Sequence, residues 1–236
     1  MHPAAQKFVD ENKNNTFTYP HIPEDIANWW EQTEWVYTKS MAPWLELLID
    51  APYTEMLEEA KNLRELFVEH RGDENSHQGW HSLCVHGISA THTGSAESYG
   101  MTWDTAPYTW TEIQDRCPVT VNYFKNIFPY TKYHRLRYML LEPGGYITPH
   151  RDNQRRHLHA AVNISLNHPE GCNMVTTDGC LPFKNTGSVF LFDNGITHAV
   201  YNDSDIPRYH IIVHGEPKNP NWNRLVLDSY KKAQNG

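Results

Sequence analysis

The chain has 236 residues, 39% hydrophobic and 20% charged, with 15 histidines and a formal net charge of -8. That length suits one sizeable core, or one domain with an added subdomain. A mean hydropathy of -0.67 and the want of a long apolar run leave no candidate membrane span. The acidic balance argues against a broad nucleic-acid footprint.

The opening "MHPAAQKFVDENKNN" has neither a basic n-region nor an apolar h-region, so a cytoplasmic protein is expected. The four cysteines, Cys84, Cys117, Cys172 and Cys180, include no CxxC pair and read as reduced, mostly buried thiols. "PEDIANWWEQTEW" starts with proline and two acids, which suits a helix N-terminus. In "APYTEMLEEAKNLRELFVEHR", Met56, Ala60, Leu63 and Phe67 form an apolar helical stripe, with Glu58, Glu59, Lys61, Arg64 and Glu65 on solvated faces. A strand-like core follows at Leu83 to Val85. Residues 87–108 lack a clear period and read as a long loop, a candidate cover for a site. "CPVTVNYFKNIF" reads as a short helix with Pro118 in its first turn.

Beyond Tyr130 the texture is β. "YHRLRYMLLEPGG" alternates and runs into a predicted Pro-Gly-Gly turn. "HAAVNISLN", "GSVFLFDNG", "HAVYNDS" and "RYHIIVHG" are further short strands between turn residues. Such spacing predicts an antiparallel sandwich or barrel rather than βαβ units. "NRLVLDSYKKAQ" is a candidate terminal helix, and no internal repeat is evident.

The chemistry concentrates in "PHRDNQRRHLH". His150 and Asp152 stand at i and i+2, so on an extended strand both point to one side and can share a cation. His198, after "SVFLFDN" and an Asn-Gly turn, is the candidate third ligand. Two histidines and a carboxylate leave open positions on the metal, as in non-haem iron(II) oxygenases. Arg208 opens "RYHIIVHG". If the two strands form a hairpin, Arg208 lies beside His198, where its planar fork can grip a carboxylate. A kinase reading of "HRD" fails, because no glycine-rich loop precedes it and no asparagine follows at the required place.

With these residues in place, the chain from about Trp80 to Gly215 resembles the aspartyl/asparaginyl β-hydroxylase-like family of 2-oxoglutarate-dependent iron(II) dioxygenases. The resemblance rests on "GWHSLCVHG", "RLRYMLLEPGGYITPHRD", "RHLHAAVNIS" and "FDNGITHAVYNDSDIPRYHIIV". It implies a mainly β fold with a helical N-terminal region, a double-stranded β-helix (cupin-type jelly roll) flanked by helices. It implies that His150, Asp152 and His198 hold iron(II) and carry catalysis, and that Arg208 binds the distal carboxylate of 2-oxoglutarate. His159 would stand near the carboxylate next to the iron. Met139 replaces a serine of the animal aspartyl hydroxylases, and His157 an arginine common in relatives.

The implied reaction consumes O2 and 2-oxoglutarate, yields succinate and CO2, and hydroxylates an amino acid or an Asp, Asn or Pro-type residue of a peptide or protein. The candidate substrate contacts are Arg137, Arg155, His157 and Trp80, with Arg135, Arg156, Trp103 and Trp110 as weaker ones. A solvated loop for Arg155 to His157 and plain aromatic packing for the tryptophans are the competing readings. The expected layout is a helical region at 1–75 packing on the core, an oxygenase domain at 76–216 and a tail at 217–236. A cupin-like binding or sensor protein without turnover, and a zinc or nickel hydrolase or isomerase on the same scaffold, remain alternatives.

Overall fold

A computed structural model describes residues 3–71, 77–153, 158, 161–184 and 187–235. Helices α1 (Pro3–Asn12), α2 (Trp29–Thr38), α3 (Tyr53–Asn62), α4 (Pro118–Asn126) and α5 (Asn221–Gln234) flank an antiparallel sheet. Its strands are β1 (Trp44–Glu46), β2 (Val68–Glu69), β3 (Gln78–Gly87), β4 (Thr109–Trp110), β5 (Tyr130–His150), β6 (Ala161–Ser165), β7 (Cys172–Thr176), β8 (Gly179–Cys180), β9 (Val189–Phe192), β10 (His198–Asn202) and β11 (Arg208–Pro217). They follow the order β1-β9-β6-β11-β5-β10-β7-β8, with β3 also on β5. The fold is mainly β, a curled antiparallel sheet of jelly-roll type.

Strand β5 organises the whole. The predicted Pro-Gly-Gly turn does not reverse the chain; it is a corner within one 21-residue strand. Leu141 still pairs with Arg208 of β11 and Trp80 of β3, whereas Tyr146 pairs with Tyr201 of β10. Between them the strand changes partners. Gly144 takes a left-handed φ of +72°, which costs glycine little. Gly145 is needed for closeness: a Cβ there would sit 2.8 Å from the Glu142 carbonyl oxygen and 3.0 Å from that of Gln78. Gly145→Ala is therefore expected to cost about 1–3 kcal/mol of stability, the usual price of overpacking. Urea unfolding of the purified variant checks this, and an unchanged midpoint would contradict it.

The corner also corrects the expected hairpin. β10 and β11 do not pair with each other; β5 pairs β11 through its first part and β10 through its last, along the edge opposite β3. A strand of this length, roughly 70 Å if straight, serves two partners on the same side only by bending.

Period-two alternation sorts the side chains of β5 and β11. Leu136, Tyr138, Leu140, Tyr209, Ile211 and Val213 enter the core under the helices. Arg135, Arg137, Met139, Arg208, Ile212 and His214 line a cavity on the other face. The α3 stripe holds in part. Met56, Ala60 and Leu63 are fully buried, but α3 ends at Asn62, and Phe67 reaches Tyr138 and Tyr209 from extended backbone. α2 starts later than the proline-acid signal, because the Asn28 side chain accepts from the Trp30 N–H and caps the helix there. The N-terminal segment also supplies strands, β1 on β9 and β2 on β3.

Candidate functional site

His150 closes β5 and His198 opens β10, and the two are register partners. Their rings lie 4.3 Å apart between centroids. Each ring is turned by its own backbone. His150 Nδ1 lies 2.8 Å from the Thr148 carbonyl oxygen, and His198 Nδ1 lies 2.9 Å from that of Ile196. A carbonyl only accepts, so both Nδ1 atoms carry a proton, which leaves Nε2 as the lone-pair nitrogen of the neutral ring. Those two Nε2 atoms converge on Asp152, at 3.7 Å from Oδ1 and 3.8 Å from Oδ2. Asp152 is held by its own N–H, which donates to the Asn194 carbonyl at 3.0 Å.

The donor atoms of His150, Asp152 and His198 all lie within 4.8 Å of one another. Burial, then His150, pushes His198 below its ordinary pKa. Burial raises Asp152, but His198, His150 and Arg71 outweigh it, so the net shift is downward. The directions favour a neutral imidazole and an ionised carboxylate, the forms that ligate metals. Arg71 Nη1 stands 3.6 Å from Asp152 Oδ1.

The cluster opens onto a cavity of about 590 Å³ that also takes in Trp80, Arg137 and Arg208. Arg208 is only 4% exposed. Its Nη2 donates to His210 Nδ1 at 2.7 Å, and its Nε is buried with no hydrogen-bond partner. His210 Nδ1 also stands 2.9 Å from the side-chain amide of Asn163, and its Nε2 faces His168 Nδ1 at 3.3 Å. Among the described residues, no carboxylate pairs with Arg208. A buried cation without an anion is costly, so a ligand carboxylate suits this guanidinium.

Burial leads the causes that lower His168, to about 3, and that hold His210 and His214 well below the usual imidazole value. In the unfolded chain these rings take protons near pH 6.5. The unfolded state thus binds more protons between pH 6.5 and about 3, and stability falls as pH falls through that window. Each ring contributes up to about 1.4 kcal/mol per pH unit. A melting temperature clearly lower at pH 5 than at pH 7.5 is expected; a flat profile would contradict it.

Of the sequence-derived candidates, the cavity gathers His150, Asp152, His198, Arg208, Arg137, Trp80, Arg135 and Trp103. Trp110 lies elsewhere, packed on His86 and Tyr133. Met139 also lines the cavity and offers a thioether there. Arg155, His157 and His159 lie outside the described residues. Sequence reasoning missed several neighbours, His214, Arg71 and His77 among them. His214 was legible as the period-two continuation of Arg208 on β11. Arg71 follows a helical stretch with no signal of its own. His77, whose ring lies 5.5 Å from that of His150, has its Nδ1 at 3.1 Å from both the N–H and the hydroxyl oxygen of Thr148.

No helix among the described residues is long and apolar enough to cross a membrane. No curated protein matches the sequence. Solved structures similar to it include a prolyl hydroxylase of Trichoplax adhaerens bound to a hypoxia inducible factor peptide fragment. That pair shares 13% identity over 77% of this chain and 86% of the other, at a TM-score of 0.43. A prolyl-4-hydroxylase of Pseudomonas putida shares 12% identity over 80% of this chain and 100% of the other, at 0.42. Likenesses this remote carry no weight for the assignment. The family model does: that of aspartyl/asparaginyl β-hydroxylase matches residues 48–217, a longer stretch than the motifs alone span. By that match the chain belongs to the aspartyl/asparaginyl β-hydroxylase family.

Proposed function

We propose that this protein is an iron(II)- and 2-oxoglutarate-dependent hydroxylase. Its substrate is an amino acid, or an Asp, Asn or Pro-type residue of a peptide or protein. One observation carries the reading: a single cavity holds both a three-donor cluster and a buried guanidinium that lacks an anion. The residues present fit the groups the family uses. Two neutral nitrogens and one carboxylate match iron(II) with open positions, and Arg208 matches a carboxylate of 2-oxoglutarate.

When bound, iron would activate O2, the oxidant, with 2-oxoglutarate as the two-electron donor: one oxygen atom ends in succinate as CO2 leaves, and the other is available to hydroxylate the substrate. The protein does the placing. Thr148 and Ile196 fix the two imidazole tautomers through their carbonyls. Arg208 orients the cosubstrate, and His210 in turn orients Arg208. Met139, Ile147, Phe192 and Val200 give the cavity an apolar wall that excludes water. His159 is the candidate second contact to the cosubstrate. In this reading residues 76–216 carry the chemistry, 1–75 brace it and 217–236 form a tail; His70 and Arg71 are the described lining residues drawn from the brace.

Purified protein with iron(II), ascorbate and 2-oxoglutarate under air is expected to release succinate, faster with a competent member of an amino-acid and peptide panel. Binding of 2-oxoglutarate with no succinate across the panel would instead favour a cupin-like binding protein.

A further inference from the structure

Arg208 accounts for one anion, yet the cavity holds more positive charge than that. Its described lining carries the guanidiniums of Arg71, Arg135, Arg137 and Arg208 against the carboxylates of Asp152 and Glu97. An iron(II) ion and a 2-oxoglutarate dianion cancel, so a surplus of two positive charges remains.

That surplus sits on Arg135 and Arg137, two residues apart on one face of β5 and 8% and 5% exposed. Each donates through Nη1 to a backbone carbonyl of the segment after β3. Arg135 donates to Gly94 at 3.0 Å and Arg137 to Thr93 at 2.8 Å, with His70 Nε2 also 3.4 Å from Arg137 Nη1. The Nε of each is buried without a partner, and so is Nδ1 of His214, the register partner of Arg135. Among the described residues neither arginine has a carboxylate in ion-pair range. Burial, then Arg135, lowers Arg137 to about 9. Two adjacent guanidiniums this deep repel each other and are kept at a cost.

The pair stands apart from the Arg208 end. Arg137 opposes Ile212, four residues along β11 from Arg208, roughly 13 Å of strand. The groups around Arg137 are Arg135, Cys84, Arg71 and Asp152, whereas Arg208 sits among Cys172, His168 and His210. The Trp103 ring lies 4.9 Å from the Arg135 guanidinium and forms part of the same wall.

We infer that Arg135 and Arg137, with His214 beside them, form a second anion subsite that receives a negatively charged group of the primary substrate. The inference deepens the proposed function, and rests on it only in assigning Arg208 to the cosubstrate. A carboxylate or a phosphate monoester meets the same two forks; the test separates them.

Calorimetry of the protein loaded anaerobically with iron(II) and 2-oxoglutarate is the measurement. The probes are L-aspartate and O-phospho-L-serine, with L-asparagine and L-serine as neutral counterparts. At least one acidic probe is expected to bind ten-fold or more tightly than its neutral counterpart, and which one does names the anion. Arg137→Gln and Arg135→Gln should each weaken that probe at least ten-fold and leave 2-oxoglutarate affinity within two-fold. Equal binding of acidic and neutral probes, or of none, would overturn the subsite. So would an Arg137→Gln variant that loses 2-oxoglutarate instead. Arg135→Gln serves as the second variant if Arg137→Gln fails to fold. The same titration on metal-free protein decides the subsite even if iron and 2-oxoglutarate do not load, a result that would count against the proposed function alone.

Discussion

His198→Ala is expected to abolish iron(II) binding and, with it, O2-dependent conversion of 2-oxoglutarate to succinate. The ring supplies one of three converging donors, and its Nδ1–H is already committed to the Ile196 carbonyl. Apart from His150, no other imidazole belongs to the cluster among the described residues. Losing only a supporting hydrogen bond to such a ligand costs 10–100-fold in affinity or activity, so losing the ligand should cost at least about 100-fold. Metal analysis after anaerobic dialysis reads the first effect and succinate release the second. The fold should survive, since alanine at this site removes a neutral side chain from a cavity wall. Full iron occupancy in a folded His198→Ala variant would remove His198 from the site.

Arg208→Met is the second large effect, and it separates cosubstrate from metal. Truncating one partner of a buried charge pair costs about 2–5 kcal/mol, so half-saturation by 2-oxoglutarate should rise by roughly 30-fold or more. Iron binding should be retained, because Arg208 is surrounded by His168, His210 and Cys172 rather than by the donor cluster. Methionine matches the length of the stem and lifts a desolvated cation, so the melting temperature without ligand should not fall much. A variant with unchanged 2-oxoglutarate dependence would place the cosubstrate carboxylate elsewhere, with the Arg135–Arg137 pair as the next candidate.

Much of this arrangement was legible in the sequence, for identifiable reasons. The i, i+2 spacing of His150 and Asp152 is local, and one extended segment suffices to align them. The alternation of Arg135, Leu136, Arg137 and Tyr138 likewise told the two faces of β5 apart before any partner was known. What stayed hidden depends on pairing between distant segments. The switch of β5 from β11 to β10 turns on a corner, and Pro143, Gly144 and Gly145 read as a reversal unless the partners before and after it are seen. β7 escaped notice because "CNMVT" is short and mixed, although Asp178-Gly179 marks its hairpin to β8. Arg71 reaches Asp152 from a segment whose sequence reads as the end of a helix.

The central claim is that His150, Asp152 and His198 hold one iron(II) in the cavity where Arg208 receives 2-oxoglutarate. Anaerobic titration of iron(II) and then 2-oxoglutarate, followed by visible absorption, tests it most directly. The account predicts a band for the chelate that saturates at one iron and one 2-oxoglutarate per chain and is missing from His150→Ala. No band in the wild-type protein, or an undiminished band in His150→Ala, would contradict it.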